Sequence, residues 1–215
     1  MKLSPFSSSA IAAVVVLMAG CTSTGYKKAG DTSTAIEKTA SNIHKGNGQI
    51  DAVLFSLSSL VNSPEADLKS QFSKFDSAVT KLDSLATDVN TQAAAMQSQG
   101  ADYFRTWDAD MAKIQNEDIR ARSNERKIAV AARFDAVRLS YVQTKAAFVP
   151  FMSDIKDIRT ALATDLTAGG IDSIKSSANK AKSNVTPLRE SLSSLEADFR
   201  ALGVSMSTNT SQPGN

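Results

Sequence analysis

The sequence contains very few of the residues on which most enzyme sites depend. Its 215 residues include one cysteine and one histidine. A single cysteine excludes an intramolecular disulfide and a cysteine zinc cluster, and a single histidine excludes most zinc sites and most histidine-based catalysis. We therefore expect no enzymatic activity, no catalytic residues, no metal and no cofactor.

The chain also lacks a strong excess of charge of either sign. Its 24 Lys and Arg residues are balanced by 22 Asp and Glu residues, which gives a net charge of +2. This balance suits a folded protein and argues against a dedicated nucleic-acid binder. Only ten glycines and five prolines are present, and no segment alternates with period two, so strands are not expected.

The N-terminal segment has the pattern of an export signal. Lys2 precedes an apolar run at residues 10–18, which is shorter than the roughly 20 residues needed to span a bilayer and fits a cleaved secretory signal. The sequence that follows resembles a bacterial lipobox, Leu17-Met18-Ala19-Gly20-Cys21. The resemblance implies cleavage before Cys21 and a diacylglycerol on its thiol. Because Thr22 follows instead of aspartate, it also implies the outer membrane. The alternative is an ordinary signal peptide with a free cysteine near its end.

We expect four regions along the chain. Residues 1–20 are the lipoprotein signal peptide, and residues 21–32 are the lipidated cysteine with a flexible tether. Residues 33–202 form the helical bundle domain, and residues 203–215 form a disordered tail. This division predicts a protein of the bacterial cell envelope, anchored by lipid in the outer membrane and facing the periplasm.

Apolar residues with alternating spacings of three and four dominate the mature chain. This is the heptad period of one helix face, and the longest series predicts a helix from residue 65 to about 116. The fold is therefore expected to be all-α, an elongated antiparallel coiled-coil-like bundle of about four helices. We expect an elbow near 116–124 and kinks at Pro150 and Pro187. The apolar rows are expected to be core, including Phe72, Phe75, Ala86, Val89, Phe134, Phe148, Phe151 and Phe199.

A concentration of cationic side chains marks the expected elbow. Arg120, Arg122 and Arg126 are candidates for contact with an anion or a partner, such as lipid phosphate, peptidoglycan carboxylate or an acidic protein patch. The alternative is a solvated turn in which these arginines pair with nearby carboxylates. No second histidine or cysteine is available to bind a metal ion together with His44. We therefore expect neither a metal-binding nor a catalytic role for His44.

Three short motifs carry a family resemblance: Phe104-x-x-Trp107, Ile114-x-Asn116 and Ile119-Arg120-x-x-Ser123-x-x-Arg126. With these motifs, the chain resembles an uncharacterised bacterial lipoprotein family, domain of unknown function 2959. The resemblance covers most of the mature chain, although Gly169-Gly170 departs from it. It implies a helical, coiled-coil-like envelope protein and supplies no catalytic residues.

Several functions are compatible with these observations. The first is a non-enzymatic, lipid-anchored scaffold, spacer or adaptor of the envelope. The alternative is a periplasmic binding module for a hydrophobic or anionic ligand, and an envelope hydrolase is the weakest hypothesis. Expected partners are the membrane, through the N-terminal lipid, and either an envelope protein or a second copy of the chain. No nucleic acid is expected.

Overall fold

The computed structural model describes residues 25–64 and 67–207, with side chains from residue 29 onward. Within these ranges there are five helical segments and no strand. They are α1 (Gly25–Asn62), α2 (Leu68–Met111), α3 (Glu117–Thr164), α4 (Ala168–Ser183) and α5 (Val185–Met206). Because Asn184 alone separates α4 from α5, these two segments form one interrupted fourth rod.

The helices form an up-down-up-down bundle. α1 packs along α2 on one side and along α5 on the other, and α3 packs along α4 and α5. Ser33 of α1 donates to the Gly203 carbonyl of α5 over 3.2 Å, and Thr144 of α3 donates to the Ser191 carbonyl over 3.0 Å. The 44 and 48 residues of α2 and α3 correspond to rods of about 65–70 Å. The predicted all-α antiparallel bundle is confirmed.

The heptad rows form one continuous core. The 3-4 spacing places each row on a single helix face, and burial of these faces stabilises helices whose outer surfaces are rich in serine and threonine, which are mediocre helix formers. Phe75, Phe151 and Phe199 have no exposed surface. The other large side chains that are almost completely buried are Ile36, Ile43, Ile50, Leu60, Leu82, Ile155, Ile158, Leu162 and Leu188.

Both ends of the bundle domain differ from the prediction. Residues 25–32, which were expected to belong to a flexible tether, are the first turns of α1. Ala29 is buried in the core there, which explains why the helix extends so far. At the other end, α5 continues beyond residue 202 because Gly203 and Met206 are also buried. Residues 1–24 and 208–215, including the predicted signal peptide, Cys21 and most of the predicted tail, lie outside the described residues.

The predicted elbow at 116–124 is misplaced. α2 ends at Met111, and Asn116 caps α3 by accepting a hydrogen bond from the Ile119 amide over 3.1 Å. The turn is therefore residues 112–116, and most of the predicted elbow is helix. The heptad phase is lost there for a different reason: the side chains of the first turns of α3 are largely exposed, so they need no apolar face.

The two prolines inside the predicted helices have different outcomes. Pro150 lies within α3, which continues as helix to Thr164. Pro187 lies in the first turn of α5, directly after the interruption at Asn184. A proline is tolerated in a first turn because its missing N–H would have no helical acceptor there. A kink was predicted at Pro187. The structure instead has a break at Asn184, three residues earlier.

Candidate functional site

A cavity of about 420 Å³ lies between α2 and α3 in the middle of the bundle. Its floor is formed by α1 and α5, including Ile43, Ile50, Leu192 and Leu195. The walls come from one stretch of α2 and one stretch of α3, with Leu82, Leu85, Ala86, Val89, Tyr141, Phe148, Val149 and Met152. The lining is mostly apolar, so the space suits an apolar ligand.

Small residues help to create this space. A Cβ built on Gly46 in the floor would meet no atom within 4 Å. Ala86 also presents only a methyl group to the cavity wall. The nearby hydroxyl of Thr144 is already used within the bundle, where it donates to the Ser140 carbonyl over 2.8 Å and to the Ser191 carbonyl over 3.0 Å. The inner part of the cavity therefore offers few free polar groups.

Three residues predicted as core line this cavity instead. Ala86, Val89 and Phe148 occupy regular positions in their heptad rows, yet each keeps part of its surface exposed. The reason is that α2 and α3 separate at this level, so their facing rows do not interdigitate. Val89 and Phe148 also pack against the core, so these predicted core residues are partly buried at this level of the bundle.

Polar groups connect α2 and α3 at the edge of the cavity. Lys156 lies 2.8 Å from Asp83, and the Tyr141 hydroxyl donates to the Asn90 side chain. Burial raises the pKa of Tyr141 above its ordinary value of 10.0, so the phenol remains protonated and can donate at neutral pH. Lys145 adds an exposed cation. A polar edge over an apolar interior suits an amphipathic ligand.

Nearer the α2–α3 turn, the same two helices are in close contact. Phe104 stacks edge-on against Phe134 with ring centroids 5.3 Å apart. Tyr103 packs edge-on against Trp107 at 5.4 Å, and the Trp107 indole N–H donates to the Ser123 hydroxyl over 2.9 Å. This aromatic cluster closes one end of the seam between α2 and α3.

The three arginines predicted as an anion or partner site do not reach the cavity. Arg120 lies 3.4 Å from the Ile114 carbonyl and 3.7 Å from Glu117. Arg126 donates to the Ser205 carbonyl of α5. Arg122 is exposed. All three lie on the first three turns of α3, at the end of the bundle where α1 begins and α5 ends, and their role remains a prediction.

His44 lies on the outside of the bundle, where 72% of its side chain is exposed. Its Nδ1 is 3.3 Å from Glu196 Oε2. A hydrogen bond from Arg200 lowers the pKa of Glu196, with a smaller contribution from His44. These contacts form a surface ion-pair network between α1 and α5.

The described residues contain neither a metal-binding cluster nor a membrane-spanning helix. Residues 25–64 and 67–207 contain no group of three histidine, cysteine, aspartate or glutamate side chains arranged to hold a metal ion. In the same ranges, none of the helices combines the length and apolar character needed to cross a membrane.

The chain belongs to a family described as a protein of unknown function, DUF2959. The model of this family matches residues 19–199, which include the aromatic cluster, the cavity and the three arginines. The family resemblance seen in the sequence is thus confirmed. No curated protein and no solved structure matches the chain.

Proposed function

We propose that this protein is a lipid-anchored binding module of the bacterial envelope that holds one apolar chain in the cavity between α2 and α3. The observation that carries the proposal is the cavity itself. It is a cleft that opens to solvent, is lined mostly by apolar side chains and measures about 420 Å³. That volume falls within the range of about 300–1,000 Å³ typical of small-molecule sites.

The chemistry of the lining favours an amphipathic ligand with one apolar chain. Ile43, Ile50 and Leu195 offer only hydrocarbon to the inner part of the cavity. Burial of apolar ligand surface there is favourable by about 25 cal/mol for each Å². Lys145 and Lys156 lie at the edge, where a carboxylate or phosphate at the end of such a chain would remain in solvent and near a cation.

The anchor in this proposal is the lipobox-like segment that ends at Cys21. A secreted chain with a single unlipidated cysteine would expose a reactive thiol. Two or three acyl chains give stable membrane attachment, whereas one gives only reversible binding. The bundle would then act at the membrane surface, where amphipathic molecules are abundant.

A pair of glycines in α1 provides a matched test. Gly46 and Gly48 both leave open space beyond the Cα atom, but only Gly46 lines the cavity. Gly46→Leu fills the cavity, whereas Gly48→Leu places the same side chain in solvent. We expect Gly46→Leu to weaken binding of the fluorescent fatty acid cis-parinaric acid at least tenfold, corresponding to about 1.4 kcal/mol. Gly48→Leu should bind like the wild type, and equal affinity of both variants would contradict the proposal.

A scaffold is the second candidate function, and the outer face of α3 favours it. Ile128, Leu139 and Val142 are each more than half exposed. They belong to a second heptad row that faces away from the bundle core and continues through Ala132, Asp135 and Ala146. Such a row is typical of a helix that pairs with another helix.

The charges of this row favour an antiparallel second copy. In a parallel pair, Asp135 would face Asp135, and like charges at facing positions are destabilising. In an antiparallel pair centred between Leu139 and Val142, Asp135 lies level with Ala146, beside Lys145. Sedimentation of the Cys21→Ser chain tests this arrangement. We expect dimers that Leu139→Glu dissociates and that Val204→Glu, at another exposed apolar residue, leaves intact. A monomeric parent chain would exclude this candidate.

A further inference from the structure

The geometry points to a membrane-docking surface at the α2–α3 end of the bundle. We call residues 112–123 the tip. The inference is that Ile119 and Arg122 of the tip contact anionic phospholipid head groups of the membrane in which Cys21 is anchored. It rests on the lipid anchor of the proposed function and adds an orientation for the bundle and a surface that touches the bilayer.

Hydrogen bonds between helices establish which residues lie at the same level. Ser33 of α1 donates to the Gly203 carbonyl of α5 over 3.2 Å. Arg126 of α3 donates to the Ser205 carbonyl, half a turn further along α5. Arg126 is therefore level with the part of α1 near residue 31. The first turns of α3 and the first turns of α1 lie at the same end of the bundle.

The tip extends slightly further than α1 at this end. Glu117, the first residue of α3, lies nine residues before Arg126, or about 14 Å along the helix axis at 1.5 Å per residue. Gly25, the first residue of α1, lies six residues before residue 31, or about 9 Å. The tip thus projects about 5 Å beyond the start of α1.

The chain that precedes α1 is too short to hold the tip far from the bilayer. Cys21 lies four residues before Gly25, and four extended residues span at most about 14 Å. Once Cys21 carries lipid, the start of α1 lies within this distance of the membrane surface. Because the tip projects further in the same direction, it is the part of the bundle nearest to the head groups when the bundle stands upright on the membrane.

The exposed side chains of the tip suit this location. Ile119 is 55% exposed, because no neighbouring helix covers it. Arg122 follows one helical turn later on the same face and forms no ion pair within the described residues. A guanidinium forms bidentate, charge-assisted hydrogen bonds with phosphate, and an isoleucine beside it can insert between head groups. Arg126 extends this cationic row toward α5.

Acidic side chains are also present near the tip, but most are neutralised locally. Glu117 lies 3.7 Å from Arg120, and Asp110 lies 2.8 Å from Lys113. From residue 112 to residue 127, five cationic side chains outnumber the three acidic ones, Glu117, Asp118 and Glu125. Asp108 and Asp110, just before this range, pair with Lys127 and Lys113. Arg122 and Arg126 are thus the two cations of the range that form no ion pair within the described residues, and Arg122 is placed to bind a lipid phosphate.

The single tryptophan provides a native probe of orientation. Trp107 lies beside the tip, bonded to Ser123, whereas exposed Phe55 lies thirty residues into α1, about 45 Å from Gly25. The lipidated full chain is placed in phosphatidylcholine vesicles containing phosphatidylglycerol and dansyl-labelled head groups. We expect several-fold stronger energy transfer from Trp107 than from the tryptophan of the Trp107→Phe/Phe55→Trp variant. Equal transfer would show a bundle lying flat and would overturn the inference.

Contact by the tip is tested with a label at residue 119. In the lipidated Ile119→Cys chain, only the new thiol reacts with an environment-sensitive nitrobenzoxadiazole dye. We expect a blue shift on anionic vesicles and none for Phe55→Cys. Adding Arg122→Glu should weaken the response about thirtyfold, the effect of changing two charges at an anionic surface. Adding Arg133→Glu, at an exposed cation farther from the tip, should not. A label at residue 119 that stays in water would overturn the inference.

The state of Cys21 separates this inference from the anchor on which it rests. Mass spectrometry of the N-terminal peptide shows whether the thiol carries diacylglycerol. If it carries no lipid, both the anchor and the docking surface are excluded. If it carries lipid and the label at residue 119 remains in water, only the docking surface is excluded. Lipid on Cys21, together with a shift that depends on Arg122, supports both.

Discussion

The seam between α2 and α3 is closed near its turn and open in its middle, and two glycines show the difference. A Cβ on Gly100 would lie 2.6 Å from the Phe134 ring, whereas a Cβ on Gly46 would meet nothing within 4 Å. The first glycine permits a close approach of a helix and an aromatic side chain. The second leaves open volume in the cavity floor, so one residue type serves opposite purposes at two levels of the bundle.

This contrast distinguishes stabilising parts of the bundle from parts available to a ligand. In the closed section, Phe104, Trp107 and Phe134 fill the space between α2 and α3, and the Trp107 indole N–H donates to the Ser123 hydroxyl. In the open section, Phe148 and Val89 have space beside them. Substitutions should therefore affect stability in the first section and ligand binding in the second.

The largest difference is expected between two phenylalanines. Phe134→Ala removes a ring that packs against Phe104 and Gly100, and we expect a loss of about 3 kcal/mol in the free energy of unfolding. Phe148→Ala removes a partly buried ring that borders the open cavity, so fewer contacts are lost, and should cost about 1 kcal/mol. Urea unfolding of both variants measures the difference. Equal losses of unfolding free energy in the two variants would contradict the division of the seam into a closed and an open section.

The two glycines should respond to alanine with opposite signs. Gly100→Ala forces the Phe134 ring to move, and we expect a loss of about 1–2 kcal/mol from strained packing. Gly46→Ala meets no atom and improves helix propensity, so it should stabilise the protein by about 0.5–1 kcal/mol. Thermal unfolding gives both signs. A stabilising Gly100→Ala would indicate that the seam near the turn is looser than described.

Loss of a hydrogen bond across the seam is also expected to destabilise the protein more in the closed section than in the open section, although both effects are smaller. Ser123→Ala leaves the Trp107 indole N–H without its acceptor and should cost about 1 kcal/mol. Tyr141→Phe removes an exposed bond to Asn90 at the edge of the cavity and should cost less than about 0.5 kcal/mol. The midpoints of urea unfolding distinguish the two. A larger effect at Tyr141 would show that the open section is held by polar contacts.

The smallest effect is expected outside this seam, where acid should act on Glu196. Its pKa lies below the ordinary value of 4.5, first because of the hydrogen bond from Arg200. The stabilisation is therefore fully present above pH 4.5 and is lost as the pH falls through the lower pKa of the folded state. Because Arg200 is 61% exposed, we expect only a few tenths of a kcal/mol. Glu196→Gln should remove this pH dependence, and an unchanged profile would contradict it.

Much of the fold follows from the sequence because heptad spacing places an apolar row on one helix face. The buried phenylalanines Phe75, Phe151 and Phe199 follow from the same spacing, whereas the local change near Pro187 follows from the proline itself. Spacing does not determine how far apart two helices lie. Ala86 and Phe148 have the same pattern as buried residues and nevertheless border the cavity. The turn position was also not predictable from the phase, because an exposed helix needs no apolar row and Asn116 alone marks its start.

The position of the arginines in the bundle could be predicted from the sequence, although the groups that they contact could not. In any up-down bundle of four helices, the turn between the second and third helices lies at the same end as the N-terminus. Arg122 must therefore lie at the same end of the bundle as the start of α1 once the topology is known. Only the structure shows that Arg126 is engaged by α5 while Arg122 points to no partner within the described residues.

Asn47 gives the floor of the cavity a dynamic property. It lies between Gly46 and Gly48, and no described group hydrogen-bonds its buried Oδ1 atom. An unsatisfied buried acceptor costs about 1–3 kcal/mol, and each glycine weakens the helix by up to about 1 kcal/mol. This stretch of α1 should open first in native-state hydrogen exchange. Amide protection at residues 46–49 would then rise when the cavity is filled, so the exchange rate of four backbone amides reports occupancy of the site.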